Sequence, residues 1–127
     1  MYKNLTISSF LGIIAVILGA FGAHALKTKL SAEAMQSFQT AVRYQFMHVL
    51  LLLFVNIFNE FTSKQKNAIS LFVIGGIILF SGSIYAIHLL KVPAKSIWFV
   101  TPLGGLMLII GWSLLFFYFL KKVIKKE

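Results

Sequence analysis

The sequence predicts an all-α integral membrane protein, with four transmembrane helices in a compact antiparallel bundle. Three observations carry that expectation. Of 127 residues, 59% are apolar and only 12% charged, and the mean hydropathy is +0.90; a soluble domain averages about 45–50% apolar and about 25% charged. Four stretches reach the roughly 20 apolar residues that a helix needs to cross a hydrocarbon core. The connections between them are short, so residues 1–127 read as one domain.

The first span covers about Leu5–Ala25, interrupted only by Thr6, Ser8, Ser9 and His24. It imitates a secretory signal, with Lys3 ahead of the apolar run and Ala23-His24-Ala25 as a cleavage-like site. The run exceeds the usual core of about 7–15 residues, so a retained helix is expected. The second span is about Ala41–Phe58, but its helix should start earlier. Ser31 is an N-cap, Glu33 sits in the favourable first turn, and Met35, Phe38 and Val42 recur at helical spacing. A helix from Ala32 to Phe58 reaches roughly 40 Å at ~1.5 Å per residue. That exceeds a hydrocarbon core of about 30 Å, so its first two turns should project into the headgroups or beyond.

The third span is about Ala68–Leu90 and the fourth about Trp98–Leu120. Within the fourth, Thr101-Pro102 reads as an N-cap followed by the first helical residue, so the helix is expected to start at Pro102. Ile97, Trp98 and Phe99 would then lie in the aromatic interface belt. The N–H groups of Leu103, Gly104 and Gly105 would point outward near Arg43, an arrangement suited to an anion.

Twelve Lys and Arg against three acids give a net charge of +9. The basic residues punctuate apolar runs instead of forming one stripe, which excludes a nucleic-acid footprint. With four spans, both termini share a side with Asn59–Asn67. That side holds Lys3, Lys64, Lys66, Lys121, Lys122, Lys125 and Lys126, against Lys27, Lys29, Arg43, Lys91 and Lys95 on the other. The positive-inside rule places both termini in the cytoplasm, with the chain a multi-pass protein of the cell (inner) membrane. The Lys-rich end Lys121–Glu127 is suited to anionic lipid headgroups. The absence of cysteine excludes disulfides, thiol nucleophiles and thiolate metal sites.

All nine glycines fall in apolar segments. Gly12, Ala15, Gly19 and Ala23 share one helical face, and such rows of small residues let backbones approach closely in lipid. Gly75-Gly76 with Gly82, and Gly104-Gly105 with Gly111, repeat the pattern in spans three and four. Because consecutive spans run antiparallel, Gly82 should oppose Gly104-Gly105 while Gly75-Gly76 opposes Gly111, giving a tight hairpin. An inverted repeat of the transporter kind is the other reading of this echo.

Threading the spans gathers polar residues in one leaflet, the outer one in this orientation. His24 ends span one there; Arg43, Tyr44, Gln45 and His48 enter with span two; Ser81, Ser83, Tyr85 and His88 arrive with span three; and Thr101 leaves with span four. The other half offers mainly Thr6, Ser8, Ser9, Asn56, Ser70 and Ser113. The cluster reads either as interhelical hydrogen-bond glue, typically worth about 0.6 kcal/mol per bond, or as a ligand or ion site. Three histidines from three helices could hold a metal, but nothing in their spacing demands one. No HExxH, P-loop, GxSxG or paired intramembrane carboxylates occur. No enzyme activity, metal or cofactor is therefore expected.

The blocks Gly19-Ala20-Phe21-Gly22-Ala23-His24, Tyr44-Gln45 with His48, Phe80-Ser81-Gly82-Ser83-Ile84-Tyr85, and Thr101-Pro102-Leu103-Gly104-Gly105 with Gly111-Trp112 run in order through all four spans. In these the chain resembles the small inner-membrane family called domain of unknown function 423, with relatives in bacteria and eukaryotic organelles. The resemblance implies a four-helix integral membrane protein without an established activity or cofactor. It makes His24, Tyr44, Gln45, His48, Ser81, Ser83, Tyr85, Thr101 and Pro102 motif positions. His88 is not one, which weakens a three-histidine metal site, and Ala25 stands where many relatives have glycine.

The leading functional expectation is a non-enzymatic packing, regulatory or binding protein of the membrane. Its partners would be lipids, a second copy of itself or another membrane protein, and not nucleic acid. The alternatives are an oligomeric transporter or channel for a small ion or metabolite, and a binder of a lipid headgroup or quinone-like ligand at Arg43, His48 and Thr101. A transport path would need inward-facing polar residues in both halves of the membrane.

Overall fold

Local hydrogen bonding decides where the helices begin. Ser31 is extended (φ −63°, ψ 165°), and its hydroxyl accepts the N–H of Ala34, which starts a helix at Ala32 as the sequence predicts. In the computed structural model, which describes residues 2–126, four helices follow in order: α1 (Tyr2–His24), α2 (Ala32–Ile57), α3 (Ser63–Leu89) and α4 (Val100–Lys126). A single 3₁₀ turn, Ala94–Ser96, lies in the last connection. Helix α3 starts at Ser63, ahead of the Ala68 that hydropathy marks. Thr62 Oγ1 accepts the Gln65 N–H at 3.1 Å while Gln65 Oε1 accepts the Thr62 N–H at 3.0 Å, a reciprocal cap that carries the helix through a polar first turn.

The expected start of α4 at Pro102 is corrected. Val100 N–H bonds Ile97 O at 3.0 Å and Leu103 N–H bonds Phe99 O at 3.1 Å, so the helix begins at Val100. Pro102 fits the first turn, where its missing N–H removes no intrahelical bond. Thr101 is therefore a helical residue and not the cap. The N–H of Leu103 is already taken, and Gly104 and Gly105 lie inside the helical ladder, so the expected outward-facing amides and their anion site do not form. Arg43 is also elsewhere: it borders a small cavity with Gly19, Gly22, Ala23 and Phe38 between α1 and α2. Its Nη2 donates to Thr40 Oγ1 at 3.3 Å.

Consecutive helices run antiparallel, with α2 and α3 at the centre. Of the most apolar window of each helix, 44% is buried in both α2 and α3 but only 17% in α1 and 22% in α4, so the outer helices turn most of their surface away from the protein. Phe10, Ile13, Val16 and Ile17 on α1 and Leu106, Ile109, Phe116 and Phe117 on α4 are exposed. This is the surface that four lipid-crossing helices require. The apolar core joins Leu51, Leu52 and Val55 of α2, Phe61 of the following turn, Ile69, Val73 and Ile77 of α3, and Leu108 and Leu115 of α4. It lies in the half nearer the termini.

The α3–α4 hairpin is held at van der Waals closeness by glycine. A Cβ on Gly104 would run into the backbone of Phe80 and Leu79, including the Phe80 amide nitrogen and, at 2.8 Å, Leu79 C. One on Gly111 would fall 2.6 Å from Val73 Cγ2, and one on Gly76 would fall 2.6 Å from Leu108 Cδ2 and 3.0 Å from Gly104 O. Gly75 faces the Met107 side chain, and Gly105 stands in ordinary contact with Phe80. Gly82 departs from expectation, since a Cβ there would meet nothing within 4 Å. The contact face of α3 runs through Ile69, Val73, Gly76 and Phe80 at helical spacing. Gly82, two residues past Phe80, is turned about 200° away from it at ~100° per residue.

In α1, Ala15 is buried against α2, while Gly12 and Gly19 lie where a Cβ would be 3.4 Å from Val49 and Val42, room that alanine fills. Ala23 is exposed. The tight approach falls instead on Gly22, whose added Cβ would sit 2.5 Å from the Phe38 ring. The small-residue faces that suggested self-association are thus largely occupied inside the chain.

Candidate functional site: a polar belt beside a lateral groove

The sequence-predicted polar residues converge in the half of the bundle away from the termini, but only in part. Gln45 of α2 is the hub. Its Nε2 donates to the backbone carbonyl of Leu11 on α1 at 2.7 Å, and its Oε1 accepts the Tyr85 hydroxyl of α3 at 2.7 Å. A carbonyl can only accept, so the amide orientation is fixed. Ser81 Oγ donates to Ala41 O across the α2–α3 contact at 2.7 Å. Ser83 bonds Phe80 O and pairs with Thr101 Oγ1 across α3–α4. Tyr85 packs its ring on Phe38, with centroids 5.5 Å apart.

His48 closes the belt. Trp112 Nε1–H of α4 donates to His48 Nε2 at 2.9 Å, and His48 Nδ1 lies 2.7 Å from Tyr44 O. Indole is a donor only, so Nε2 must accept and Nδ1 must carry the proton, donated to the Tyr44 carbonyl. Both imidazole nitrogens are occupied, leaving no lone pair for a metal. No group of three or more potential metal-ligating side chains occurs among the described residues. The sequence carries no signal for the Trp112–His48 bond, because the two residues lie 64 positions apart on α4 and α2.

Three predicted members stand apart. His24 is exposed at the end of α1, and Arg43 is exposed beside α1. Tyr44 contributes its backbone carbonyl, while its ring points outward and stacks on Phe80 at 4.9 Å between centroids. That ring forms one wall of a groove of about 700 Å³ between α2 and α4. The groove is lined also by Met47, His48, Phe80, Pro102, Gly105, Leu106, Leu108, Ile109 and Trp112.

The few polar residues expected in the other half are not isolated. A second network, at the end that carries the termini, centres on the fully buried Asn56. Its Nδ2 donates to Leu52 O at 2.9 Å and Ser70 Oγ at 2.8 Å, and its Oδ1 accepts Asn4 Nδ2 at 3.0 Å. Asn4 also donates to Asn67 at 2.8 Å, and Lys66 Nζ reaches Asn56 O at 3.2 Å. Lys66 thereby satisfies a carbonyl in the last turn of α2, where the helix dipole favours a cation. Lys122 of the Lys-rich end donates to Glu60 O at 3.0 Å, with Glu60 Oε2 at 3.8 Å. Of that end, Glu127 and the Lys126 side chain lie outside the described residues.

Between the two networks lies an apolar layer of Leu52, Val73, Ile77 and Leu108. No buried side-chain nitrogen or oxygen among the described residues lacks a partner. Four apolar antiparallel helices, stitched by polar contacts that are satisfied within the protein, define a small integral membrane protein. The chain belongs to the family described as "Protein of unknown function (DUF423)", which matches residues 18–105. Similar proteins include the "UPF0382 membrane protein SSP2132" of Staphylococcus saprophyticus, 40% identical over 103 residues covering 81% of this chain and 84% of that protein. A "UPF0382 membrane protein" of Haemophilus influenzae is 37% identical over 111 residues, 87% of each chain. The "UPF0382 inner membrane protein YgdD" of Escherichia coli K12 is 37% identical over 109 residues, covering 82% of this chain and 79% of that protein. No solved structure matches the chain. Nothing in these likenesses specifies a biochemical activity.

Proposed function

We propose that the chain is a non-enzymatic binding protein of the membrane, holding an apolar guest from the lipid phase in the groove between α2 and α4. The observation that carries this reading is the groove itself: about 700 Å³, walled by rings and pinned by the Trp112–His48 bond. Small-molecule sites fall at about 300–1,000 Å³ and are mostly apolar with few polar groups. The saturation of the polar belt supports binding over catalysis, because its groups are engaged in fastening helices. The apolar layer between the two polar networks speaks against a transport path through one copy of the chain.

A lipid-soluble diazirine probe is expected to label Met47, Leu106 and Ile109 saturably, with an excess of untagged probe competing. Labelling that rises linearly and falls equally on Leu71 and Ile78 of α3, exposed apolar residues outside this groove, would reject the reading.

The same reading places both termini in the cytoplasm and the polar belt in the outer leaflet, supported by the distribution of lysines. The chain has no native cysteine among the described residues, so single introduced cysteines report topology directly. Lys125→Cys should be shielded from a membrane-impermeant thiol reagent in intact cells, and Lys27→Cys labelled. The reverse pattern inverts the orientation.

A further inference from the structure

Arg43 has no counter-charge within the protein. The end of the bundle away from the termini carries Lys27, Lys29, Arg43, Lys91 and Lys95 against one acid, Glu33. Glu33 precedes Arg43 on α2 by ten residues, about 15 Å along the helix. The one ion pair among the described residues joins Lys122 to Glu60 at the opposite end. The guanidinium donates to Thr40 Oγ1 from Nη2, a long bond of 3.3 Å. With Gln39, it borders a cavity of about 290 Å³ whose α1 wall is Gly19, Gly22 and Ala23.

Depth narrows what can meet this charge. Arg43 lies just inside the span that starts at about Ala41, level with Gly19 near the His24 end of α1. From there an arginine stem lies along apolar surface while its head rides at the headgroups. Directly deeper on the same α1–α2 seam runs an apolar groove of about 480 Å³, with Gly12 and Val16 on one wall and Phe46 and Leu50 on the other. The cavity and the groove are in register. Phe46, Leu50 and Leu53 follow Arg43 at helical spacing on one face of α2, while Val16, Gly12 and Ser9 precede Gly19 at the matching antiparallel spacing. From Arg43 to Leu53 the seam descends about 15 Å. We infer that the seam binds one anionic phospholipid, its phosphate on the Arg43 guanidinium and one acyl chain in the groove beneath. The planar, permanently charged fork matches the paired oxygens of a phosphate. A free anion would leave the apolar groove unfilled, and an uncharged lipid would leave the cation unmet. The site lies on the α1 side of α2 and stands independently of the α2–α4 groove.

The test uses the full chain in nanodiscs of phosphatidylcholine, with phosphatidylglycerol carrying brominated acyl chains added as a rising minor fraction. Phe46→Trp places a fluorescent reporter in the groove, and Ile78→Trp places one on the exposed face of α3, outside both cavities. The native Trp98 and Trp112, just before and within α4, give both variants the same background. The groove reporter should reach half-quenching at about tenfold less phosphatidylglycerol than the α3 reporter, in the range of charge-assisted hydrogen bonds. Arg43→Gln should erase that difference, and Arg43→Lys, which keeps the charge but loses the fork, should recover part of it. Lys27→Gln, an equal loss of charge away from the seam, should leave it intact. Gly12→Leu should fill the groove and erase the preference, since a Cβ there already stands 3.4 Å from Val49 Cγ1. Val16→Phe, at the exposed rim, gives a second occlusion if Gly12→Leu melts early.

Equal quenching of the two reporters by phosphatidylglycerol overturns the site. Equal losses with Arg43→Gln and Lys27→Gln also overturn it, in favour of general attraction to a basic surface. Brominated phosphatidylcholine and brominated diacylglycerol should quench both reporters alike. A groove preference for either one would show that the negative headgroup is not what is recognised. Inorganic phosphate in the buffer should leave the quenching unchanged; displacement by it would make this a site for a bare anion and overturn the lipid.

Discussion

Replacing Gly104 with leucine is expected to destabilise the protein by about 3 kcal/mol or more, near the upper end of overpacking penalties in close-packed interiors. The reason is what stands opposite. At Gly76 or Gly111 the nearest atoms to an added carbon belong to the side chains of Leu108 or Val73. At Gly104 it would press on the Phe80 and Leu79 backbone in the middle of α3, which cannot yield without parting the helices. Parting them would also break the Ser83–Thr101 pair and draw Trp112 from His48. Gly104→Ala should already show much of the loss. Gly82→Leu is the matched control, because its face is open, and it should stay within about 0.5 kcal/mol. Reversible unfolding in mixed micelles, followed by circular dichroism, measures all three. Similar values for Gly104→Leu and Gly82→Leu would mean that the close helix approach contributes little.

The contrast between these two glycines shows what sequence reading reaches. The four helices were legible because hydropathy over some twenty residues is insensitive to local detail, and the start of α2 was legible because Ser31 followed by Glu33 is a local signal. The start of α3 was equally local, in Thr62 and Gln65, but the polar turn Ser63–Asn67 hid it from a reading based on apolar length. The start of α4 was misplaced because Thr-Pro fits both a cap and an interior first turn, and only the Ile97 and Phe99 carbonyls decide between them. Residue spacing points to a close antiparallel hairpin but to neither its register nor its rotation: Gly111 meets Val73 and not Gly75-Gly76, Gly76 lies against Leu108 and Gly104 O, and Gly82 faces away. In the polar belt, residue type and depth located Gln45, His48, Ser81 and Tyr85. Their partners were not legible, because Leu11 O and Ala41 O are backbone atoms that carry no sequence signature.

Asn56, legible in the sequence as a polar residue of its half but not as the centre of a network, leads to the second large effect. Asn56→Leu preserves volume in a fully buried site and should cost about 1–3 kcal/mol, from interhelical bonds that average about 0.6 and reach about 1.7 kcal/mol in membranes. Asn56 joins three helices: its side chain accepts from Asn4 on α1 and donates to Ser70 on α3, besides bonding Leu52 in its own helix. Removing it strands partners as well as bonds, since Ser70 is itself buried at 1% exposure and must find another acceptor or donor within α3. Asn4→Ala should cost less than about 1 kcal/mol, because Asn4 lies nearer the surface and its loss leaves the Asn56 amide bonded to Leu52 and Ser70. Adding Ser70→Ala to Asn56→Leu should cost less than the sum of the two single losses, the mark of residues sharing one contact. Strict additivity would mean that the Asn56–Ser70 bond contributes nothing. The end with the termini would then be held by the Leu52, Val55 and Val73 packing alone, with the network a consequence of that packing.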